Sequence, residues 1–206
     1  MAKKIEAVIF DLGNVLIDFD HTIAAEKVSS YCDKSPKEIY DYFFDSELTG
    51  LFEEGKIAPE DFFIEVKKIL NLDLDYKKFL PVWNEIFFLS EKNRLVYETA
   101  KKLKNHYKVA LLSNINVLHY NYIAAKFPLF DAFHTILLSF ELKLKKPDPL
   151  IYKKALELLN VPAENVFYTD DREELIEESL RQGINGFVFK GFDQLKSDLS
   201  ASGIII

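Results

Sequence analysis

The 206-residue chain has the composition of an ordinary globular protein, with 49% hydrophobic and 29% charged residues. Its 7 Gly and 7 Pro exclude a collagen-like or low-complexity chain. The net charge of −7 disfavours nucleic acid as a partner, because that role needs a basic face. The single cysteine, Cys32, excludes an internal disulfide and a cysteine-cluster zinc site. No secretory signal or membrane-length apolar run is visible, so we expect a cytoplasmic protein without a membrane partner.

Short apolar runs alternate with helical patterns along most of the chain. The runs typical of strands buried on both faces cover residues 7–10, 109–112, 135–138, 166–168 and 186–189. Helices are predicted from Ser90 to about residue 104, after the cap-and-proline pair at 148–149, and over 172–182 before Gly183. This alternation predicts an α/β fold with a Rossmann-like parallel sheet and helices on both of its faces.

Residues 20–89 interrupt the alternation with helical patterns and no convincing buried strand. Ser35 and Glu38 have capping-box spacing, Pro59 begins a second helix, and 76–88 carries another broad apolar face. Aromatic residues concentrate in this stretch: Phe43, Phe44, Phe52, Phe62, Phe63, Trp83, Phe87 and Phe88. They either form only a small helical core or, in addition, line a substrate pocket.

Two domains are therefore predicted. Residues 1–19 and 90–206 form an α/β core, and residues 20–89 form a small all-helical cap inserted after the first strand. An insertion at this point lies above the carboxyl ends of the strands, where sheets of this kind bind ligands.

Four polar sites follow the predicted strands: Asp11, Ser113-Asn114, Lys146 and Asp170-Asp171. Because the carboxyl ends of neighbouring parallel strands meet at one edge of a sheet, these groups can share a site. Each is weak evidence alone, since a strand-end Asp is often a cap and Lys146 sits in a lysine-rich run that solvent could cover. Their order along the chain is what favours a common site.

With these sites in place, the chain resembles the haloacid dehalogenase (HAD) superfamily in its form with a helical C1-type cap. The segments that carry the resemblance are 10–16 (FDLGNVL), 111–114 (LLSN), 146–152 (KPDPLIY) and 168–171 (YTDD). The stretches DLGNV at 11–15, SNIN at 113–116 and EEGKI at 53–57 are similar to sugar-phosphate phosphatases, a subgroup that includes bacterial α-D-glucose-1-phosphate phosphatases.

The resemblance implies a nucleophile and a metal. Asp11 is implied as the nucleophile that forms an aspartyl-phosphate, which water then hydrolyses. Mg²⁺ is the implied cofactor, with Asp11, the backbone carbonyl of Gly13, Asp170 and Asp171 as its oxygen ligands. The adjacent Asp170 and Asp171 would repel one another without a cation.

The resemblance also implies a phosphate site. Ser113, Asn114 and Lys146 are the implied phosphate-binding residues, and Lys146 would compensate charge on both the phosphate and Asp11. The alternative for Ser113 is a helix cap.

The chain departs from the family pattern at Gly13. Most HAD phosphatases carry there a second Asp, which protonates the leaving alcohol, and such a group contributes ~10²–10⁴-fold. Asp18, Asp20, Glu53 or His119 could take over, although the first two also suit turns at the cap hinge and His119 also suits simple packing. Alternatively, the substrate has a good leaving group, as an anomeric phosphate does.

Three functions remain open on the sequence. The favoured one is a Mg²⁺-dependent phosphatase acting on a small phosphorylated metabolite, such as a sugar phosphate. The second is a HAD-scaffold protein that binds phosphometabolites with weak or no catalysis, which Gly13 supports. The third, a 2-haloacid dehalogenase, is disfavoured because its substrate gives no reason for paired Asp170 and Asp171. The sequence predicts no particular substrate and no oligomeric state.

Overall fold

A computed structural model describes residues 4–43 and 46–205. Its strands, in chain order, are β1 (Ala7–Phe10), β2 (Asp18–Phe19), β3 (Phe87–Phe88), β4 (Lys108–Ser113), β5 (Thr135–Leu138), β6 (Val166–Asp170) and β7 (Asn185–Val188). Five of them form a sheet in the order β5-β4-β1-β6-β7, and every neighbouring pair is parallel. The predicted parallel sheet is confirmed, and β1 lies at its centre.

Eleven α-helices occur within the described residues. They are α1 (His21–Ser29), α2 (Pro36–Phe43), α3 (Glu47–Glu53), α4 (Pro59–Leu70), α5 (Tyr76–Asn84), α6 (Glu91–Leu103), α7 (Val117–Lys126), α8 (Ser139–Leu142), α9 (Pro149–Leu159), α10 (Glu173–Arg181) and α11 (Phe192–Ala201). None of the described helices combines the length and apolar character needed to cross a membrane.

Helices cover both faces of the sheet, as predicted. Along β1 the side chains alternate between two apolar clusters, as the two-residue period of a strand requires. Val8 and Phe10 join the cluster that contains residues of α6 and α11, whereas Ala7 and Ile9 join the cluster of α9 and α10. Every residue of β1 is therefore fully buried, which explains its unbroken apolar sequence.

Helices α1 to α5, called here the helical segment, have an apolar cluster of their own. Phe52, Phe62, Phe79 and Trp83 are among the largest fully buried side chains, and the rings of Phe52 and Phe62 stack with centroids 4.2 Å apart. Phe43 and Phe63 belong to the same cluster, and Phe44 lies outside the described residues. Aromatic burial on this scale stabilises a small helical unit.

The helical pattern over 76–88 was wrong at its end. Helix α5 stops at Asn84, and Phe87–Phe88 instead pair antiparallel with Asp18–Phe19. The backbone N–H of Asp20 donates to the carbonyl of Ile86 at 3.0 Å and extends this ribbon. A two-residue strand is too short to show alternation in the sequence. The β2–β3 ribbon joins both ends of the helical segment to the sheet.

Candidate active site

The carboxyl edge of the sheet brings two predicted acidic sites beside each other. Asp11 directly follows β1, and Asp170 is the last residue of the neighbouring β6. The backbone N–H of Asp11 donates to the carbonyl of Thr169 at 3.0 Å, so the hydrogen-bond ladder between the two strands continues to the carboxyl edge. Ser113 ends β4 on the other side of β1 and is buried.

Lys146 lies between the two carboxylates. Its Nζ is 2.6 Å from Asp11 Oδ1 and 2.6 Å from Asp170 Oδ2, and it donates to the carbonyl of Leu112 at 3.0 Å. The side chain is 1% exposed, so Lys146 is not part of a solvated lysine run. Burial opposes its charge, but the carboxylates of Asp11 and Asp170 raise the pKa of Lys146 above its ordinary value, and it stays protonated.

Asn114 holds the backbone of Lys146. Its Nδ2 donates to the carbonyl of Lys146 at 2.8 Å, and its Oδ1 accepts from the N–H of the same residue at 2.8 Å. The side chain of Asn114 thus fixes the lysine over the sheet edge, an arrangement that residue spacing could not indicate. The phosphate-binding role of Asn114 stays a prediction.

Asp170 is bound on both of its oxygens. Oδ2 accepts from Lys146 and from the hydroxyl of Tyr168, and Oδ1 accepts from the backbone N–H of Arg172 at 3.0 Å. Burial raises the pKa of Tyr168 well above its ordinary value, so its hydroxyl remains a donor. These bonds fix the orientation of the Asp170 carboxylate.

Asp171 completes a cluster of three carboxylates. One oxygen each of Asp11, Asp170 and Asp171 lies within 4.8 Å of the others. Asn14 orients the third member, since its Nδ2 donates to Asp171 Oδ2 at 2.8 Å. Burial, and then the neighbouring carboxylates, raise the pKa of Asp11 to about 7 against the pull of Lys146. Burial likewise raises the pKa of Asp171.

The cluster fits a divalent cation. The site holds three carboxylates and one ammonium group, which contacts two of them, so with all four groups ionised it carries two uncompensated negative charges. Hard carboxylate oxygens are the ligands that Mg²⁺ prefers. A cation here would reverse the rise in pKa that burial and mutual repulsion cause. Asp11, Asp170 and Asp171 are therefore the residues that could hold it, with the carbonyl of Gly13 as the predicted fourth ligand.

Asp18 and Asp20 have roles at the hinge. The Asp18 carboxylate accepts from Ser90 Oγ at 2.8 Å and Asn93 Nδ2 at 3.2 Å, and it lies 2.7 Å from Lys92 Nζ. Asp20 caps helix α1 with its side chain. Both carboxylates are thus occupied in joining the β2–β3 ribbon to its helices, and the acid–base role suggested for them has no support in these contacts.

His119 is buried beneath the helical segment. Its ring stacks on Trp83 with centroids 5.2 Å apart, Nε2 lies 3.2 Å from the carbonyl of Trp83, and Nδ1 lies 3.0 Å from Asn116 Nδ2. These partners are both satisfied by the neutral tautomer with its proton on Nε2. Burial lowers the pKa of His119 to about 3. The contacts support the packing interpretation and do not support an acid–base role.

Glu53 ends helix α3, next to the core. Its carbonyl oxygen accepts a hydrogen bond from Ser139 Oγ at 2.6 Å. Its side chain is partly exposed. The acid–base role suggested for Glu53 stays a prediction.

The space beside Gly13 is filled by an aromatic ring. A Cβ atom on Gly13 would lie 2.8 Å from Cε1 of Phe19, which is too close for an unshifted ring. The Phe19 ring in turn packs on His21, with centroids 4.8 Å apart. The space that a carboxylate at position 13 would need is therefore filled by a packed hinge residue, Phe19.

Sequence analysis missed Asn14, Tyr168 and Ser139. Asn14 has a φ of 55°, a left-handed conformation in which Asn is enriched, so its position after Gly13 carried a usable signal. Tyr168 lies in an apolar run that predicts a buried strand, and nothing in that run indicates that its hydroxyl bonds Asp170. The Ser139 hydroxyl bonds two distant parts of the chain, at Glu53 and at Ile115, and no local pattern indicates such contacts.

Comparison with known proteins identifies the family. Residues 5–181 match the model of haloacid dehalogenase-like hydrolases, and the chain belongs to this family. The D-ribitol-5-phosphate phosphatase of Bacteroides thetaiotaomicron is 25% identical over 173 residues, which cover 81% of this chain and 83% of that protein. The drimenol cyclase of Aspergillus calidoustus is 22% identical over 95% of this chain, which spans only 36% of the cyclase.

Solved structures agree with this assignment. A HAD family enzyme from Bacteroides thetaiotaomicron, in complex with magnesium and inorganic phosphate, is 26% identical and superposes with a TM-score of 0.80 over 90% of this chain and 94% of its own. The L-2-haloacid dehalogenase of Xanthobacter autotrophicus is 18% identical, with a TM-score of 0.60 over 96% of this chain and 83% of its own. This second likeness shows the shared fold alone.

Proposed function

We propose that the chain is a Mg²⁺-dependent phosphatase of small phosphorylated metabolites, with sugar phosphates as the favoured substrate class. The observation that carries the proposal is the buried Lys146 between Asp11 and Asp170, with Asp171 completing the carboxylate cluster. The similarity to a phosphatase and to an enzyme crystallised with magnesium and phosphate supports it.

Asp11 is the proposed nucleophile. A bond forms between its carboxylate oxygen and phosphorus, while the bond from phosphorus to the substrate oxygen breaks and the alcohol leaves with a proton. Water then attacks phosphorus, releasing inorganic phosphate and regenerating Asp11. Mg²⁺, when bound, neutralises charge on the phosphoryl oxygens.

The remaining polar residues hold the reactants. Lys146 orients Asp11 and favours its ionised form, and so opposes the burial that raises the pKa of this carboxyl. The Ser113 hydroxyl and the backbone that follows it are proposed to bind phosphoryl oxygens. Glu53 is the proposed source of the leaving-group proton, and an anomeric phosphate would reduce the need for one.

We propose that a cap domain selects the substrate. We propose residues 20–89 as this cap domain and residues 1–19 and 90–206 as the core. The separate apolar cluster of helices α1 to α5 and the ribbon that joins them to the sheet support this division.

The decisive experiment measures phosphate release from an aryl phosphate and from a panel of sugar and nucleotide phosphates, with Mg²⁺ and with excess EDTA. We expect release that requires Mg²⁺. Absence of turnover across the whole panel would contradict the proposal.

A second candidate function is phosphometabolite binding without efficient catalysis, which the Phe19 ring beside Gly13 favours. Tight binding of sugar phosphates without turnover would select it. Chloride release from 2-chloropropionate in EDTA would instead indicate dehalogenase chemistry.

A further inference from the structure

Ser139 connects the helical segment to the backbone beside the proposed phosphate site. It is the first residue of α8 and is fully buried. Its hydroxyl oxygen accepts from the backbone N–H of Ile115 at 2.9 Å. The same hydroxyl lies 2.6 Å from the carbonyl oxygen of Glu53 and 3.1 Å from that of Ile115. Ile115 follows Ser113 and Asn114 directly.

The hydroxyl of Ser139 has one proton and two carbonyl acceptors. The shorter distance, to Glu53, favours donation of this proton to the helical segment in this arrangement. If the segment moves away, the carbonyl of Ile115 is already within reach of the same proton. No buried donor is then left without a partner, which would otherwise be the main cost of breaking the contact.

A second hydrogen bond joins the same two parts of the molecule without reaching Ile115. Lys143 Nζ donates to the carbonyl of Gly55, in the turn after α3. Gly55 has a φ of 60°, and a side chain there would collide with the backbone carbonyl of Phe140. The turn after α3 therefore sits directly on α8.

We propose that Ser139 is a positioning residue that couples seating of the helical segment on α8 to the backbone that follows Ser113 and Asn114. This rests on the proposed phosphatase function. When the segment is seated, Ser139 holds Glu53 and Ile115 together, so the proposed acid and the proposed phosphate site are placed at the same time. The Lys143 side chain bonds the helical segment at Gly55 and does not reach Ile115.

The test compares Ser139→Ala with Lys143→Met, which removes a side-chain bond to the helical segment at Gly55 and none to Ile115. We expect Ser139→Ala to raise KM for sugar phosphates about fivefold, to lower kcat about fivefold and to weaken binding of inorganic phosphate about fivefold, because the variant loses one hydrogen bond to Glu53 and one to Ile115, each of which contributes about fivefold. Lys143→Met should raise KM about twofold, because its side chain is exposed, and should leave kcat and phosphate binding unchanged.

Hydrogen exchange gives a measurement that does not depend on turnover. Ser139→Ala should speed exchange of the Ile115 amide and of amides at 54–56, whereas Lys143→Met should affect only the latter. If wild type has no phosphatase activity while this exchange pattern holds, the proposed function fails and the coupling stands.

Equal kinetic and exchange effects of the two variants would overturn the proposal, as would an Ile115 amide that Ser139→Ala leaves protected. If Ser139→Ala does not fold, Ser139→Cys replaces it, since a thiol is a weaker donor and acceptor of similar size. The same differences from Lys143→Met, reduced in size, are then expected, and their absence would overturn the coupling.

Discussion

The carboxyl edge of the sheet and the helical segment differ in what they bury. The edge buries the charges of Asp11, Lys146 and Asp170, whereas the segment buries aromatic rings such as those of Phe62 and Trp83. Buried ion pairs contribute little net stability because of their desolvation, and buried aromatic rings contribute much. The ion pairs of the edge therefore add little to stability, and replacing a carboxylate there by a neutral group of the same shape should separate activity from folding more cleanly than variants of the segment do.

The largest expected effect is that of Asp11→Asn. Loss of the proposed nucleophile should reduce phosphate release by at least about 10³-fold. Because burial and neighbouring carboxylates raise the pKa of Asp11 to about 7, a neutral amide of the same shape should leave the Tm measured in EDTA unchanged or higher. Loss of stability by Asp11→Asn, in addition to its loss of activity, would contradict the contrast between the two regions.

Lys146→Met tests the same edge by removing its positive charge. Removing the buried ammonium group leaves Asp11 and Asp170 without their cationic partner, which should lower the free energy of unfolding by ~3–5 kcal/mol in EDTA. Mg²⁺ should restore part of this loss, whereas phosphate release should stay at least ~10²-fold reduced. Urea unfolding with and without Mg²⁺ measures the loss of stability and its recovery, and an assay of phosphate release measures the activity. Lys145→Met serves as the control, with an expected change in the free energy of unfolding below about 0.5 kcal/mol.

His119→Gln tests the contact beneath the helical segment through pH. The pKa of His119 falls to about 3 on burial from an ordinary 6.5, so below pH 6.5 the unfolded chain binds a proton that the folded chain does not. Stability is thus lost as pH falls, by about 1.4 kcal/mol for this group between pH 7.5 and 5.5. Urea unfolding at both values should show that difference between wild type and variant. Asp11 and His21 titrate in both proteins, so their contributions cancel in this difference. If the free energy of unfolding changed equally with pH in wild type and in His119→Gln, the prediction would be contradicted.

The smallest expected effect on activity is that of Gly13→Asp. The Phe19 ring occupies the space that the new side chain needs, so the carboxylate should not reach a leaving group. We expect no gain in hydrolysis of alkyl phosphates, measured as phosphate release, and a loss of stability, measured by urea unfolding. A gain of tenfold or more would show that the ring moves aside easily.

The parts of this molecule that sequence could predict are those fixed by the sheet. Parallel strands must end at one edge, so Asp11 and Asp170 follow from strand positions alone. What sequence could not predict depends on contacts between distant elements. Gly13 is visible as a missing carboxylate, but the Phe19 ring beside it is not, and no periodicity indicates that Ser139 meets Glu53 and Ile115.

The contact between Gly13 and Phe19 also limits how this chain can be redesigned. Position 13 belongs to the loop after the central strand, while position 19 belongs to the ribbon that joins the two parts of the molecule. Anyone who wishes to broaden its chemistry toward poor leaving groups must alter both positions together, with a smaller residue at 19. A library that varies one site at a time would discard every useful combination.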